Sequence, residues 1–316
     1  MARVVVAGAI NWDINLHVEN FAKVGEEIPV SRITRVPGGK AANVAVAAAR
    51  ILGPSQVSLI GALGKDFIAE AQIEILTKEG VDTSGVKTVD GESGQAYIVI
   101  DREGRNMIHT LFGANLEVKP EDLLDSNCRR LIDESSLITI MDPPLETVFK
   151  TVDLAKERDK PVLWDPGVRC SLGVEKLESA LSLIEYLVVN EVEVGNLAET
   201  ADLSKAISIL LHVNQDLRII VKLGSEGCLM ATREGIVRIP GVPLSSFGMT
   251  VVNTVGCGDT FLGVLSASLV SGLEVLEALK RANLAGAFKA TRPNTRGSPT
   301  IEELSEFAEK VAIRLG

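Results

Sequence analysis

The sequence predicts an α/β fold: a mostly parallel central sheet with helices on both faces, joined by a small antiparallel β lid. Short apolar runs rich in Val, Ile and Leu recur along the chain and alternate with segments of helical period. That βαβα rhythm is the signature of parallel strands buried on both sides. Two stretches break it, residues 14–37 and 94–112, where apolar and polar residues alternate around turn signals such as "REGR"; these read as a second sheet. The 316 residues, 46% hydrophobic and 23% charged, suffice for a substantial core.

In chain order, "RVVVAGA" (3–9) is the first strand, followed after the inserted 14–37 segment by the helix "KAANVAVAAARILG". "VSLIGAL" (57–63) and the helix "DFIAEAQIEILTKEG" come next, then the second inserted segment. Strands "SLITIMD" (136–142), "PVLWDP" (161–166), "EYLVVNE" (185–191) and "LRIIVKLG" (217–224) continue the sheet, with helices "PLETVFKTVDLAKERD" and "LSKAISILLHVNQ" between them. "GCLMATREGIVRIPG" reads as a hairpin, and 259–272, 273–291 and 300–315 as helices. The α/β domain therefore comprises 1–13, 38–93 and 113–316, and the lid 14–37 and 94–112. A sheet beside an α/β domain either covers a ligand or forms a dimer surface.

A net charge of −10 with no long basic run argues against nucleic-acid or anionic-membrane partners, while leaving room for a local basic pocket. Cys128, Cys170, Cys228 and Cys257 lie far apart, and His17, His109 and His212 are scattered, so no zinc pattern is visible. A reduced, cytoplasmic chain is the simplest expectation. "MARVVVAGAINWD" resembles a first strand more than a leader, and no run approaches the ~18 apolar residues of a membrane span.

Chemistry is best sought in "VVNTVGCGDTF" (251–261). If a helix starts near Gly258–Thr260, its first amides lack intrahelical partners and carry the positive end of the dipole. Gly256 and Gly258 would let an anion approach that backbone, and Asp259 could take a proton from an attacking hydroxyl. Read alone, Gly-x-Gly-Asp is more readily a helix cap than a catalytic turn. No Gly-x-x-x-x-Gly-Lys-Ser/Thr loop and no Gly-x-Gly-x-x-Gly after strand one is present, so a nucleotide would bind in another way. In "VPGGKAANVAVAAARILG" (36–53), Gly38 and Gly39 permit close backbone approach, and Lys40 and Asn43 offer donors to a polyol; a tight turn and close helix packing explain the same residues. In "AINWDIN" (9–15), Asn11 and Asp13 follow the first strand, where ligands bind in open α/β sheets, and Asp13 can accept bonds from two adjacent hydroxyls.

Together, "GGKAANVAVAAARILG" and "VNTVGCGDTFLGV" resemble, in order and separation, the two signatures of the ribokinase-like family of carbohydrate and nucleoside kinases. The resemblance covers essentially the whole chain. It implies that Asp259 is the catalytic base and that the backbone of Gly256, Cys257 and Gly258 is the anion hole. It makes Asn11, Asp13, Gly38, Gly39, Lys40, Asn43 and Asp142 substrate contacts. Asn190 and Glu193 in "VVNEVEVGNL" match the motif that organises the magnesium and phosphate region. Lys222, Gly224 and Gly227 match the nucleotide loop, and Asn283 the adenine pocket. The resemblance also implies magnesium, ATP as phosphoryl donor with ADP not excluded, and a homodimer through the lid.

Three positions depart from the pattern. Asn253 stands where the family carries an Asp that takes part in a monovalent-cation site, which leaves a potassium requirement open. Cys257 replaces a small residue; it is either a low-pKa thiol at a helix start or an inert apolar filler. Asp142 replaces a Glu. Lys40 and "GAN" (113–115) resemble the members acting on free pentoses, and ribose or a related pentose is the expected acceptor. "WDPGVR" (164–169) is similar to nucleoside kinases and some hexose kinases of the family, so a nucleoside, fructose or a phosphopentose, with Arg105 or Arg169 on its phosphate, remain alternatives. Trp12 could stack on a sugar or base, or simply pack. A non-catalytic sugar-binding protein on the same fold would be expected to have lost Asp259.

Overall fold

The computed structural model describes residues 4–315, so Arg3 of the expected first strand lies outside the described residues. Strand β1 (Val4–Gly8) is wholly buried and runs almost directly into β2 (Asn11–Val18), which returns through β3 (Val30–Gly38). Helix α1 (Lys40–Leu52), β4 (Val57–Leu63), α2 (Phe67–Lys78) and β5 (Val81–Thr88) follow, then β6 (Gly94–Ile100) and β7 (Asn106–Leu111). Next come α3 (Ser126–Glu134), β8 (Leu137–Met141), α4 (Leu145–Glu157), β9 (Val162–Asp165), α5 (Val174–Leu181) and β10 (Tyr186–Asn190). The chain continues with α6 (Glu191–Leu197), α7 (Leu203–Val213), β11 (Arg218–Lys222), β12 (Gly227–Thr232) and β13 (Gly235–Pro240). It closes with α8 (Cys257–Val270), α9 (Val275–Ala290) and α10 (Ile301–Leu315).

The main sheet has nine strands in the order β13-β12-β11-β10-β9-β8-β1-β4-β5. Its pairs are parallel from β5 to β11, and only the β12–β13 hairpin joins antiparallel. Side chains of β1 alternate between two cores, as a strand's period of two requires. Val4 and Val6 face α1, α8 and α9, while Val5 and Ala7 face α4, α5 and α7. Alanines along α1 let α8 approach very closely. A Cβ on Gly263 would lie 2.6 Å from the Ala47 methyl and 2.6 Å from the Val44 carbonyl oxygen. That crossing places the first turn of α1 beside the first turn of α8.

The small sheet has four strands, β3-β2-β6-β7. Its outer pairs are antiparallel, and β2 and β6 meet in parallel register, Asn11 opposite Gly94. It starts at Asn11 rather than at residue 14, because the chain turns between Gly8 and Asn11 and extends at once. Asn11 and Asp13 are therefore lid residues, not part of a turn belonging to the α/β domain. Strand β5 was not apparent from sequence: "VDTSGVKT" is an edge strand with mostly part-exposed positions and little apolar signal. Helices α3, α5 and α6 were likewise not apparent; at nine, eight and seven residues they are too short for a run of helical period to stand out. No helix among the described residues is long and apolar enough to cross a membrane.

Candidate active site

The carboxyl ends of β1, β8, β9, β10 and β11 open onto one side of the sheet, where α8 begins. Gly256 caps that helix with φ 85° and ψ 0°, and a Cβ there would collide with the Thr295 carbonyl oxygen. Glycine is thus required on two counts, backbone conformation and space. The Cys257 amide donates to Thr254 O at 3.2 Å, while the Gly258 amide makes no backbone hydrogen bond among the described residues. The turn points first-turn donors outward at the positive end of a 14-residue helix. Burial raises the Cys257 pKa, and Lys289 only partly offsets this. The side chain is therefore a thiol packed as a small apolar group, not a thiolate.

Asp259 lies in the first turn of α8, half-buried, and accepts a hydrogen bond from Asn43 Nδ2 at 2.8 Å. Burial raises its pKa, opposed by the Asn43 bond and by Lys40 and Lys222. A carboxylate so placed is more basic than a surface aspartate but still flanked by cations. Asn43 also accepts from Arg296 Nε at 2.9 Å. Arg296 Nη2 donates to Gly38 O at 2.8 Å and Gln72 Oε1 at 3.1 Å, and Gln72 donates to the carbonyl of Asn11. Asp13 sits in the same pocket, 7% exposed, its pKa pushed up to about 6 by burial, lowered by Arg296 and raised again by Asp259. Any Cβ on Gly38 would strike the Asp13 carboxylate, and one on Gly39 would strike the Asn11 amide. The "GG" therefore makes room for the Asp13 carboxylate.

A second set of charges lies around Asp142 and Asp165. Asp142, just past β8 with φ 60°, pairs with Lys40 Nζ at 2.7 Å and with Arg169 Nη1 at 3.0 Å. Lys222 Nζ pairs with Asp165 Oδ2 at 2.7 Å, and Asp165 Oδ1 accepts from the Gly167 amide at 3.0 Å. Asn190 and Glu193 form a reciprocal capping box at the start of α6: each side chain accepts from the other's amide, at 2.8 and 2.7 Å. Burial raises the Glu193 pKa and Asp165 raises it further, with Lys222 opposing.

Beyond Gly258, a cleft of about 670 Å³ runs between α8, the β12–β13 hairpin and α9. Lys222, Gly224, Gly227 and Asn283 line it, with apolar walls such as Met249 and Phe261. Asn283 is held by its bond to Pro240 O at 2.9 Å. The polar pocket of Asp13, Asn43 and Arg296 and this apolar cleft meet at Gly258–Asp259.

A search against family models matches residues 1–302 to the pfkB family carbohydrate kinases. The chain belongs to that family. It is 30% identical to the ribokinase of Lactococcus lactis, covering 100% of both chains. It is also 30% identical to the ATP-dependent ribose-1-phosphate kinase of Halopiger xanaduensis, over 97% of this chain and 98% of that one. Among solved structures it resembles Arabidopsis thaliana ribokinase complexed with ribose and ATP, with a TM-score of 0.86, 25% identity and coverage of 97% and 99%. As a pfkB carbohydrate kinase, the protein is a phosphotransferase acting on a sugar hydroxyl.

Within this pfkB member, several expected residues also make bonds inside the protein. Asn11 Oδ1 accepts from Asn115 Nδ2 at 2.8 Å, and Asn115 also accepts from the Ile10 amide at 2.8 Å. Lys40 and Lys222 each neutralise an aspartate. Asn253 donates to Pro293 O at 2.8 Å and accepts from the Val255 amide at 2.9 Å, so its side chain shapes the turn before Gly256. Trp12 packs edge-on against Phe67, ring centroids 6.4 Å apart. Sequence reasoning missed Arg296, Gln72 and Asp165. Asp165 closes "VLWD" at a strand's carboxyl end and could have been found there; Arg296 and Gln72 carry no local signal. No group of three ligating side chains among the described residues could hold a metal by itself. Asp165 and Glu193 beside the cleft suit a magnesium ion held mainly by phosphate oxygens and water.

Proposed function

We propose that the protein transfers the terminal phosphoryl group of ATP to a hydroxyl of ribose. The observation that carries this reading is Asp259: a half-buried carboxylate of raised basicity standing where a polar pocket meets a nucleotide-sized cleft, beside first-turn amides of α8. Ribose occupies the pocket of Asp13, Asn43 and Gly38–Gly39, its hydroxyls accepted by Asp13. ATP lies in the cleft with its base toward Asn283 and its phosphates toward Gly256–Gly258. Asp259 accepts the hydroxyl proton as the new O–P bond forms and the β–γ bridge breaks; ADP leaves. The amides of the turn meet the charge that builds on the phosphoryl oxygens. Magnesium, when bound, neutralises the triphosphate near Asp165 and Glu193.

The lid carries exposed Val30, Ile33, Met107, Ile108 and Leu111, and a second copy covering this face is the dimer we propose. The decisive experiment is a coupled assay of ribose, deoxyribose, ribose 1-phosphate, fructose and nucleosides with ATP and with ADP. Ribose with ATP is expected to give the highest kcat/KM. Turnover confined to nucleosides or to the phosphorylated pentose would overturn the reading.

A further inference from the structure

Lys289, in the last turn of α9, is fully buried and among the bulkiest side chains to be so. Its ammonium donates to two backbone carbonyls, Asn253 O at 2.9 Å and Arg292 O at 3.5 Å, and joins no carboxylate in an ion pair among the described residues. Burying an ammonium without an anionic partner costs several kcal/mol, and a methionine would fill the same space without that penalty. The site is also heavily built. The amides of Val252 and Asn253 both donate to Ala290 O, at 2.8 and 3.2 Å, and Asn253 Nδ2 donates to Pro293 O. Gly256 packs on Thr295 O. The segments 252–256 and 290–295 are thus stitched together, and the ammonium draws one carbonyl from each inward. The turn it braces ends in the Gly256–Gly258 cradle. Its charge reaches the catalytic turn: it lowers the Cys257 pKa, and Asp259 and Cys257 in turn oppose the fall that burial imposes on Lys289 itself.

We propose that the Lys289 ammonium is a built-in monovalent cation, a positioning residue that orders the turn 253–256 and makes phosphoryl transfer independent of added potassium or sodium. Its charge holds the inward-facing carbonyls that would otherwise repel one another, as a free cation can. Asn253 presents an amide here, not a carboxylate, so the turn lacks the charge that would draw a free cation in. The positive charge behind the cradle also adds to the helix-dipole field where phosphoryl charge develops.

This inference rests on the kinase reading, and the test separates the two. Wild-type turnover of ribose and ATP is measured first, in choline chloride and then in potassium or sodium chloride at matched ionic strength of about 0.1 M. No turnover of any sugar refutes the kinase reading; turnover that needs potassium refutes only this one. The rate is expected to agree within about twofold across the salts. Lys289→Met is expected to lower kcat in choline by roughly 10–10² fold with KM for ribose little changed, as misplacement of the cradle by ~1 Å would. Lys289→Met retaining the wild-type rate overturns the proposal. Should that variant fail to fold, the wild-type salt series still decides. The double variant Asn253→Asp/Lys289→Ala supplies the missing carboxylate and empties the ammonium's place; restoration of its kcat by potassium but not choline supports the inference, and no response to potassium counts against it.

Discussion

Asp259→Asn separates the base from the fold. The amide has the shape of the carboxylate, and its oxygen still accepts from Asn43 Nδ2, now at 2.8 Å from Asp259. Neither neighbouring cation is orphaned: Lys40 keeps Asp142 and Lys222 keeps Asp165, each at 2.7 Å. The chemical step should lose roughly 10²–10⁴ in kcat, about 2.7–5.4 kcal/mol of barrier, with both KM values within about threefold of wild type. Stability should move the other way. Burial raises the folded-state pKa of Asp259 above the ordinary aspartate value near 3.8. Between those two values the native state binds more protons than the unfolded chain, so stability falls as pH rises through that window and the deficit persists above it. The variant lacks this term. Its advantage over wild type should be absent in acid and open with rising pH until the folded-state value is passed. The assays are coupled ADP release with ribose and ATP, and urea melts of both proteins from pH 4 to 9. A kcat within about tenfold of wild type would refute the base assignment. A variant markedly less stable at pH 7 would refute the electrostatic argument instead.

Two further outcomes follow from the charges. Asp13, pushed up to about 6, should give kcat/KM for ribose an acidic limb near that pH, a fall of about tenfold from pH 7 to 5, absent in Asp13→Asn, while ATP binding stays level. Lys222→Met leaves Asp165, 5% exposed, without its cation and should cost about 3–5 kcal/mol in urea melts, most of it recovered in Lys222→Met/Asp165→Leu; a near-neutral single variant would show that the pair is not energetically coupled.

Much of the fold was legible because its signals are local. A fully buried parallel strand must be apolar throughout, and six such runs marked the core of the main sheet. The edge strand β5 escaped because only part of it is buried, so "VDTSGVKT" is mostly polar. In the site, Gly256 and Asp259 were readable since a helix start and its glycine cap are a local pattern. Arg296 was not: it meets Asn43 across 253 positions of chain, and no periodicity reports such a contact. Lys289 was hidden for a different reason. Within "NLAGAFKATR" a lysine reads as solvated, and only the packing of two distant segments shows it buried. Asn11 and Asp13 were assigned to the α/β domain, whereas the chain enters the small sheet at Asn11, with two residues between it and the end of β1.

The position of Asp13 on the lid changes what acceptor binding means. Asp13 lies on β2, and β3, its hairpin partner, ends at Gly38, whose carbonyl holds Arg296 Nη2. Arg296 Nε then holds Asn43, and Asn43 holds Asp259. One chain of hydrogen bonds thus connects the sheet that carries Asp13 with Asp259, the proposed base. In the proposed pose a ribose spans Asp13 and Asp259 at once. A water molecule beside Asp259 cannot, so it gains no support from the Asp13 carboxylate. Binding energy from hydroxyls remote from the reacting one is thereby available to align that hydroxyl with its base, which raises kcat rather than affinity alone. Nη1 of Arg296, buried without a partner, is the one donor of this chain left over.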